Sequence, residues 1–406
     1  MSIDRRGLLG GTAAVAATAG LSRRGRAQAP VVKLGVMNDQ SGPYRDIGGM
    51  YSVAAVKQAV AEFGADFKVE VISGDHQNKP DVGVGIARQW FDRDGVDIIL
   101  DVPTSSVALA VNNVCREKNK VFLNTGAATT DLTGVQCTPS TIHWSYDTYM
   151  LARSTGGAMV AAGGNSWYFV TADYVFGQQL QRDTTSFVTA AGGKVAGASA
   201  YPFPGTADFS SYLISAQASG ANVLGLANAG ADTINSIKQA AEFGLTKKMK
   251  VAALLMFLSD VHGLGLEAAQ GLFLTESFYW DMNDKTRAFT KRFQAFMPGV
   301  CPNMVNAGCY SGALHYLKAV KALGVASAGD GAAVAAKMKS MPAEDDAYGK
   351  TSIRQDGMAM TPAYLFEVKK PSESKYPWDY YKMIVETPAE KAWKPLADGG
   401  CPLVKA

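Results

Sequence analysis

A chain of 406 residues is longer than one hydrophobic core ordinarily fills, so two large lobes are expected. Hydrophobic residues at 47% and charged residues at 18% exclude a disordered or low-complexity chain. The formal net charge is only +3, and its basic excess resides in the first 29 residues, which removes the main support for a nucleic-acid partner.

Those residues, MSIDRRGLLGGTAAVAATAGLSRRGRAQA, read as an export signal. The paired Arg5 and Arg6 precede Gly7-Leu8-Leu9 in a twin-arginine-like pattern, a small-residue apolar region follows near 8–21, and Ala27-Gln28-Ala29 is the expected cleavage site. The apolar region is short of the ~20 residues a membrane span needs, and no later segment is apolar enough. Five arginines and one aspartate leave with it, so 39 basic and 36 acidic residues become 34 and 35.

From Val31 the chain alternates short β-branched runs with amphipathic stretches. Strands are predicted at 31–37, 67–73, 96–102 and 120–126, with helical spacing at 48–64 and 80–95 between them. This βαβ rhythm predicts a parallel sheet covered on both faces. After a join near 141–150 it restarts, with strands at 166–172, 194–201, 221–227, 250–257 and 271–277, so a second α/β lobe is expected. Helices follow at 284–297 and 306–324, residues 351–370 alternate as a hairpin would, and the Tyr-, Trp- and Pro-rich tail after Pro371 is expected to pack over one lobe.

Five cysteines in an exported chain predict one or two disulfides. Cys115 lies on a predicted helix and reads as buried and free. Cys137 with Cys401 is one candidate pair and Cys301 with Cys309 the other. None shows C-x-x-C spacing, which argues against redox catalysis and structural zinc. The four histidines, His76, His143, His262 and His315, have no partners at metal-ligand spacing.

Five loops carry a family resemblance: NDQSGPYRDIG (38–48), DVPTSS (101–106), LNTGAATTDLT (123–133), HWSYDTYMLA (143–152) and TADYVFGQQL (171–180). In order and spacing they resemble the periplasmic solute-binding proteins of ABC importers, branched-chain amino-acid binding type. The resemblance implies an α/β chain with the type I periplasmic binding fold: two doubly wound parallel-sheet lobes joined by three hinge crossovers near 145–148, 278–282 and 345–350. Residues 30–146 with 281–347 would form the first lobe, and 147–280 with 348–406 the second. It further implies a monomer in the periplasm, a membrane permease as partner, a small-molecule ligand and no cofactor.

Ligands of open α/β sheets bind beyond the carboxyl ends of the strands, where these loops lie. Thr104, Ser105 and Ser106 precede a predicted helix, where they either cap it or turn donors toward an anion. Gly126, Ala127 and Ala128 let the backbone approach a ligand, and Thr129 adds an N–H and a hydroxyl. By resemblance, Ser105, Ser106, Ala127 and Thr129 grip a carboxylate. Tyr44, Tyr174, Asn228, Ala229, Met256, Phe257 and Phe278 supply the remaining expected wall, together with Tyr279. Amino-acid binders of this type need a second-lobe carboxylate for the ligand ammonium, and Met256 and Phe257 occupy that place. The expected ligand is therefore a carboxylate without an α-amine, an aromatic acid of benzoate or phenylpropanoid kind.

Three alternatives stay open. Asp147 or Asp260 would serve a branched-chain or other amino acid. The G-x-G-x-x-A match GLGLEA (263–268) would suit a nicotinamide-dependent exported oxidoreductase. The same fold would also suit a ligand-sensing subunit of a receptor.

Overall fold

The computed structural model describes residues 31–405, so the expected export signal lies outside the described residues. The first sheet contains β1 (Val31–Asn38), β2 (Lys68–Asp75), β3 (Ile98–Asp101), β4 (Val121–Asn124) and β5 (Thr141–His143), in the order β2-β1-β3-β4-β5 with every pair parallel. β3 and β4 are buried throughout, which is why they read as unbroken apolar runs and not as alternation.

The second sheet is built from β6 (Ser166–Ala172), β7 (Lys194–Tyr201), β8 (Val223–Ala227), β9 (Lys250–Ala253) and β10 (Phe273–Glu276). Further along the chain, β11 (Ala343–Asp345) and β12 (Gly349–Thr351) form a separate hairpin, and β13 (Ala363–Val368) and β14 (Tyr381–Thr387) extend the second sheet. Its order is β14-β13-β10-β9-β8-β6-β7, parallel except for the antiparallel β13 and β14. The strand predicted over 250–257 stops at Ala253, because the chain turns there into the space between the lobes.

The chain leaves the first lobe after β5 and the second after β10. The helix Met304–Leu323 then packs on the helix Gly49–Phe63 of the first lobe. Within the segment predicted as a hairpin, Ile353 bridges Ala359 antiparallel, with Arg354 N donating to Met358 O and Met360 N to Ser352 O, both at 2.8 Å; this short hairpin lies beside β5 of the first sheet, with His143 N donating to Gly357 O and Ala359 N to His143 O, both at 2.9 Å. The chain joins the second sheet at β13.

The tail comes back as well. Trp393 Nε1 donates to Thr361 O at 2.8 Å, and a disulfide joins Cys401 to Cys137 across 264 residues. Cys301 and Cys309 are buried and free, which overturns their candidate pairing, and Cys115 is also buried and free. The cause is placement: Cys309 lies on the helix Met304–Leu323 with Sγ 3.0 Å from Thr125 Oγ1 on the first sheet, while Cys301 belongs to the core of the second lobe.

Candidate functional site

The carboxyl ends of β1, β3, β4, β6 and β8 face one another across a cleft. Tyr44, Ile47, Pro103, Gly126 and Ala128 of the first lobe, Tyr174, Phe176, Ala229 and Leu255 of the second, and Tyr146 of the first crossover enclose a cavity of about 10 Å³, the room of a single water. So small a space admits no ring while the lobes stand this close, so a ligand enters only as they part. No lining residue carries a charge.

The first-lobe wall begins with a forced turn. Asp101 and Val102 end β3 at φ 79° and 57°, in the left-handed region that side chains other than glycine avoid. This turn drops Pro103 against the cavity and starts the helix Ser105–Glu117 beside it. Thr104 is the residue before the helix, yet its hydroxyl donates to Asn78 Oδ1 and leaves the helix uncapped. Ser105 is fully buried with a hydroxyl that has no partner among the described residues. An open helix N-terminus with a free hydroxyl and no acid in its first turn favours an anion.

The next loop is shaped by its glycine. A Cβ on Gly126 would lie 2.6 Å from Asp101 Oδ1 and 2.7 Å from Pro103 Cα, so only glycine lets the two loops nest. Asn124 then clamps Ala127 on both sides, donating from Nδ2 to its carbonyl at 2.7 Å and accepting its N–H at 3.0 Å. Tyr146 donates to the Gly126 carbonyl. Ala128 faces the cavity, whereas Ala127 packs into the first-lobe core and the Thr129 hydroxyl accepts from Asp131 N at 3.2 Å, capping a short turn.

Tyr44 closes the mouth from the first lobe. Asp39 fixes its loop, Oδ1 accepting from Gly42 N at 2.7 Å and Oδ2 from Tyr44 N at 2.8 Å. The Tyr44 hydroxyl meets that of Tyr174 at 2.6 Å, and Phe203 stacks on both rings at centroid distances of 5.2 and 4.5 Å. Burial pushes both phenols well up, so they stay protonated. Two further bonds link the lobes: Ala231 N donates to Pro43 O at 3.1 Å, and Gln179 Nε2 to Asp131 Oδ2 at 2.9 Å.

The second lobe departs from expectation in side-chain direction. Asn228 turns inward, accepting from Thr233 Oγ1 at 2.7 Å and donating to Ser236 Oγ at 3.2 Å, so its neighbour Ala229 reaches the cavity instead. Met256 belongs to the second-lobe core, and Leu255, which sequence reasoning missed, takes its place on the wall. Phe257 packs edge-on against Tyr146 at 5.7 Å. Phe278 packs edge-on against Phe289 near the crossover, also at 5.7 Å, and does not line the cavity; Tyr279 packs on Tyr381. Ser106 lies on the helix just past Ser105 and is half-buried. Tyr146 and Phe203 were also missed, although Tyr146 lies within a loop that carries the resemblance.

The nearby acids are engaged by the protein itself. Asp147 caps the helix Thr148–Leu151 through Met150 N at 2.8 Å, and Asp260 accepts from Phe257 N at 3.0 Å. Glu276 accepts from Leu258 N at 3.0 Å, Met304 N at 3.1 Å and the Tyr381 hydroxyl at 2.9 Å. Burial pushes Asp147 and Asp260 up to about 7 and Glu276 up to about 8. Burial likewise pushes His76 and His143 down to about 4, holding both neutral, and His315 donates from Nε2 to Met338 O at 2.8 Å. Among the described residues no group of His, Cys, Asp or Glu is placed to hold a metal.

Two α/β lobes thus close over a small cavity whose lining residues carry no charge. The chain belongs to the periplasmic binding protein family, which it matches over residues 31–375. It is 47% identical to a periplasmic binding protein from Burkholderia mallei, covering 93% of this chain and 100% of that one with a TM-score of 0.89. It is 39% identical to a branched chain amino acid ABC transporter periplasmic ligand-binding protein from Burkholderia xenovorans LB400, over 92% and 99% of the two chains, TM-score 0.79. A solute binding protein of an R. palustris ABC transporter, in complex with benzoate, shares the fold at 19% identity, over 88% and 97%, TM-score 0.78. Among curated proteins none matches. The fold is thus the type I periplasmic binding fold, and family and fold are those of ABC-transporter solute-binding proteins. Among the described residues no helix is long and apolar enough to cross a membrane.

Proposed function

We propose that this protein captures a small carboxylate without an α-ammonium group, an aromatic acid of benzoate or phenylpropanoid kind, in the periplasm. It acts as a monomer and presents its closed form to a membrane permease. The observation that carries the ligand class is the uncapped terminus of the helix Ser105–Glu117, which follows the cavity-lining Pro103 and bears the buried, unpartnered Ser105 hydroxyl, although Ser105 itself does not line the uncharged aromatic cavity. An ammonium has no such provision in the second lobe, where Asp260 and Glu276 hold the protein's own N–H donors. The benzoate complex of the R. palustris protein supports the reading at the level of fold.

Ligand docks on the first lobe and the second closes over it, so its preference for the closed state supplies the free energy of closure. The relative at 39% identity favours a second reading, a branched-chain amino acid. A thermal-shift screen of the mature protein separates the two. A ligand at ~100 times its Kd adds ~2.7 kcal/mol of stability, a shift of several degrees. Stabilisation by benzoate, 4-hydroxybenzoate or cinnamate but not by leucine or valine is expected; the reverse pattern replaces the first reading with the second.

A further inference from the structure

Beneath the cavity lies a carboxyl group that none of the ligand-facing donors touches. Asp101 is fully buried at the end of β3. Its Oδ2 accepts from Asn38 Nδ2 of β1 at 3.0 Å, and its Oδ1 accepts from Thr125 Oγ1 at 3.1 Å. Its backbone carbonyl receives the N–H groups of Thr125 and Gly126, each at 3.4 Å. The carboxyl therefore ties together the loops that follow β1, β3 and β4.

Its distance from the ligand space is one glycine. A Cβ on Gly126 would stand 2.6 Å from Asp101 Oδ1, and Gly126 itself lines the cavity. The groups that face the carboxyl are Asn38 of β1, Gly48 and Ser52 at the helix Gly49–Phe63, and Thr125 after β4. Cys309 on the helix Met304–Leu323 and Tyr146 of the crossover are the titratable groups within electrostatic reach, and burial raises both so that they stay neutral. No cation faces Asp101 among the described residues, and burial pushes it up to about 6.

We propose that Asp101 determines the charge specificity of the cleft: an anionic ligand is taken up together with one proton, which comes from solvent and resides on the Asp101 carboxyl. The inference rests on the carboxylate reading above. Two like charges separated by a glycine backbone, one of them the fully buried Asp101, disfavour each other's ionised forms, so the ligand raises the proton affinity of Asp101. By linkage, Asp101 raises the ligand's affinity when it is protonated. A simple carboxylic acid with a pKa near ~4 is itself ionised throughout this range.

The sign follows from those two proton affinities. Below the value of the free protein, Asp101 is already neutral and affinity is flat. Above it, binding must draw a proton from solution, and affinity for the anion falls by up to ~10-fold per pH unit until the value of the complex is passed. A zwitterionic amino acid gives the opposite sign if its ammonium meets an ionised Asp101.

The test is isothermal calorimetry of the mature protein with benzoate, 4-hydroxybenzoate and cinnamate, and with leucine, between about pH 5 and about pH 8, in buffers of low and high ionisation enthalpy. The expected result is net proton uptake above about pH 6 with a Kd for the aromatic acid that rises with pH, and loss of both effects in Asp101→Asn. Tight, pH-independent binding of an aromatic acid without proton uptake overturns the role of Asp101 and leaves the carboxylate reading in place. Binding of leucine alone, strengthening with pH, overturns the carboxylate reading and this inference with it. Proton uptake is measured on the natural chain, so the result does not depend on Asp101→Asn folding.

Discussion

Ser105 is a group whose removal separates binding from stability. Its hydroxyl has no partner among the described residues, so Ser105→Ala is expected to leave folding intact and, on the proposed carboxylate reading, to remove a donor to the ligand, a bond of ~1.5–3 kcal/mol. Affinity for the aromatic acid is expected to fall by roughly 10-fold or more, with the melting temperature of the ligand-free protein unchanged. Gly126→Ala is its complement. The added methyl meets Pro103 Cα at 2.7 Å, backbone that cannot swing aside, so ~1–3 kcal/mol of stability is lost and denaturant melts will show it without ligand. The residue types at this site were legible in the sequence: small residues, hydroxyls and aromatics in the loops after the strands. Their directions were not. Asn228 and Met256 turn inward because Thr233, Ser236 and the second-lobe core claim them, and no spacing rule separates Leu255 from Met256 in an apolar run buried on all sides.

At the scale of elements, the helix Ala231–Glu242 shows how a terminus serves closure. Gly230 precedes it at φ 60° and ψ −134°, a conformation essentially confined to glycine, and a Cβ there would stand 2.5 Å from the Pro43 carbonyl of the opposite lobe. Gly230→Ala is expected to hold the lobes apart: small-angle scattering with saturating aromatic acid will show a larger radius of gyration than the natural protein, and affinity will fall at least 10-fold. Unaltered closure would show that the Pro43–Ala231 contact is incidental. Strands and helices followed from periodicity, including nearly all of both sheets. The placement of the segment after residue 351 did not, because the short hairpin closed by Ile353 and Ala359 lies beside β5, and local alternation does not say which sheet a hairpin will join.

For the whole molecule, the tail acts as a fourth connection between the lobes. From β14 in the second sheet it returns to the first lobe, where Trp393 bonds to Thr361 and Cys401 is tied to Cys137. Closing so long a loop stabilises the fold by up to about 5 kcal/mol in the chain-entropy view. The double change Cys137→Ser with Cys401→Ser is expected to lower the midpoint of chemical unfolding clearly, and to leave Kd within about twofold, since neither cysteine lines the cavity. A comparable loss of affinity would show that the strap governs closure itself.

The sequence by itself determined the α/β rhythm, the two sheets and the absence of any motif for metal or nucleophilic chemistry, because these depend on hydrophobic spacing and residue chemistry along a few turns of chain. Only the tertiary structure decided which member of each loop faces the cleft, which cysteines meet and where Asp101 lies. Those outcomes rest on left-handed torsions at Asp101 and Val102 and on partners that stand more than 100 residues away: Tyr44 met by Tyr174, and Cys137 by Cys401. Local pattern carries no record of such meetings, since the packing that imposes them exists only once both lobes have formed.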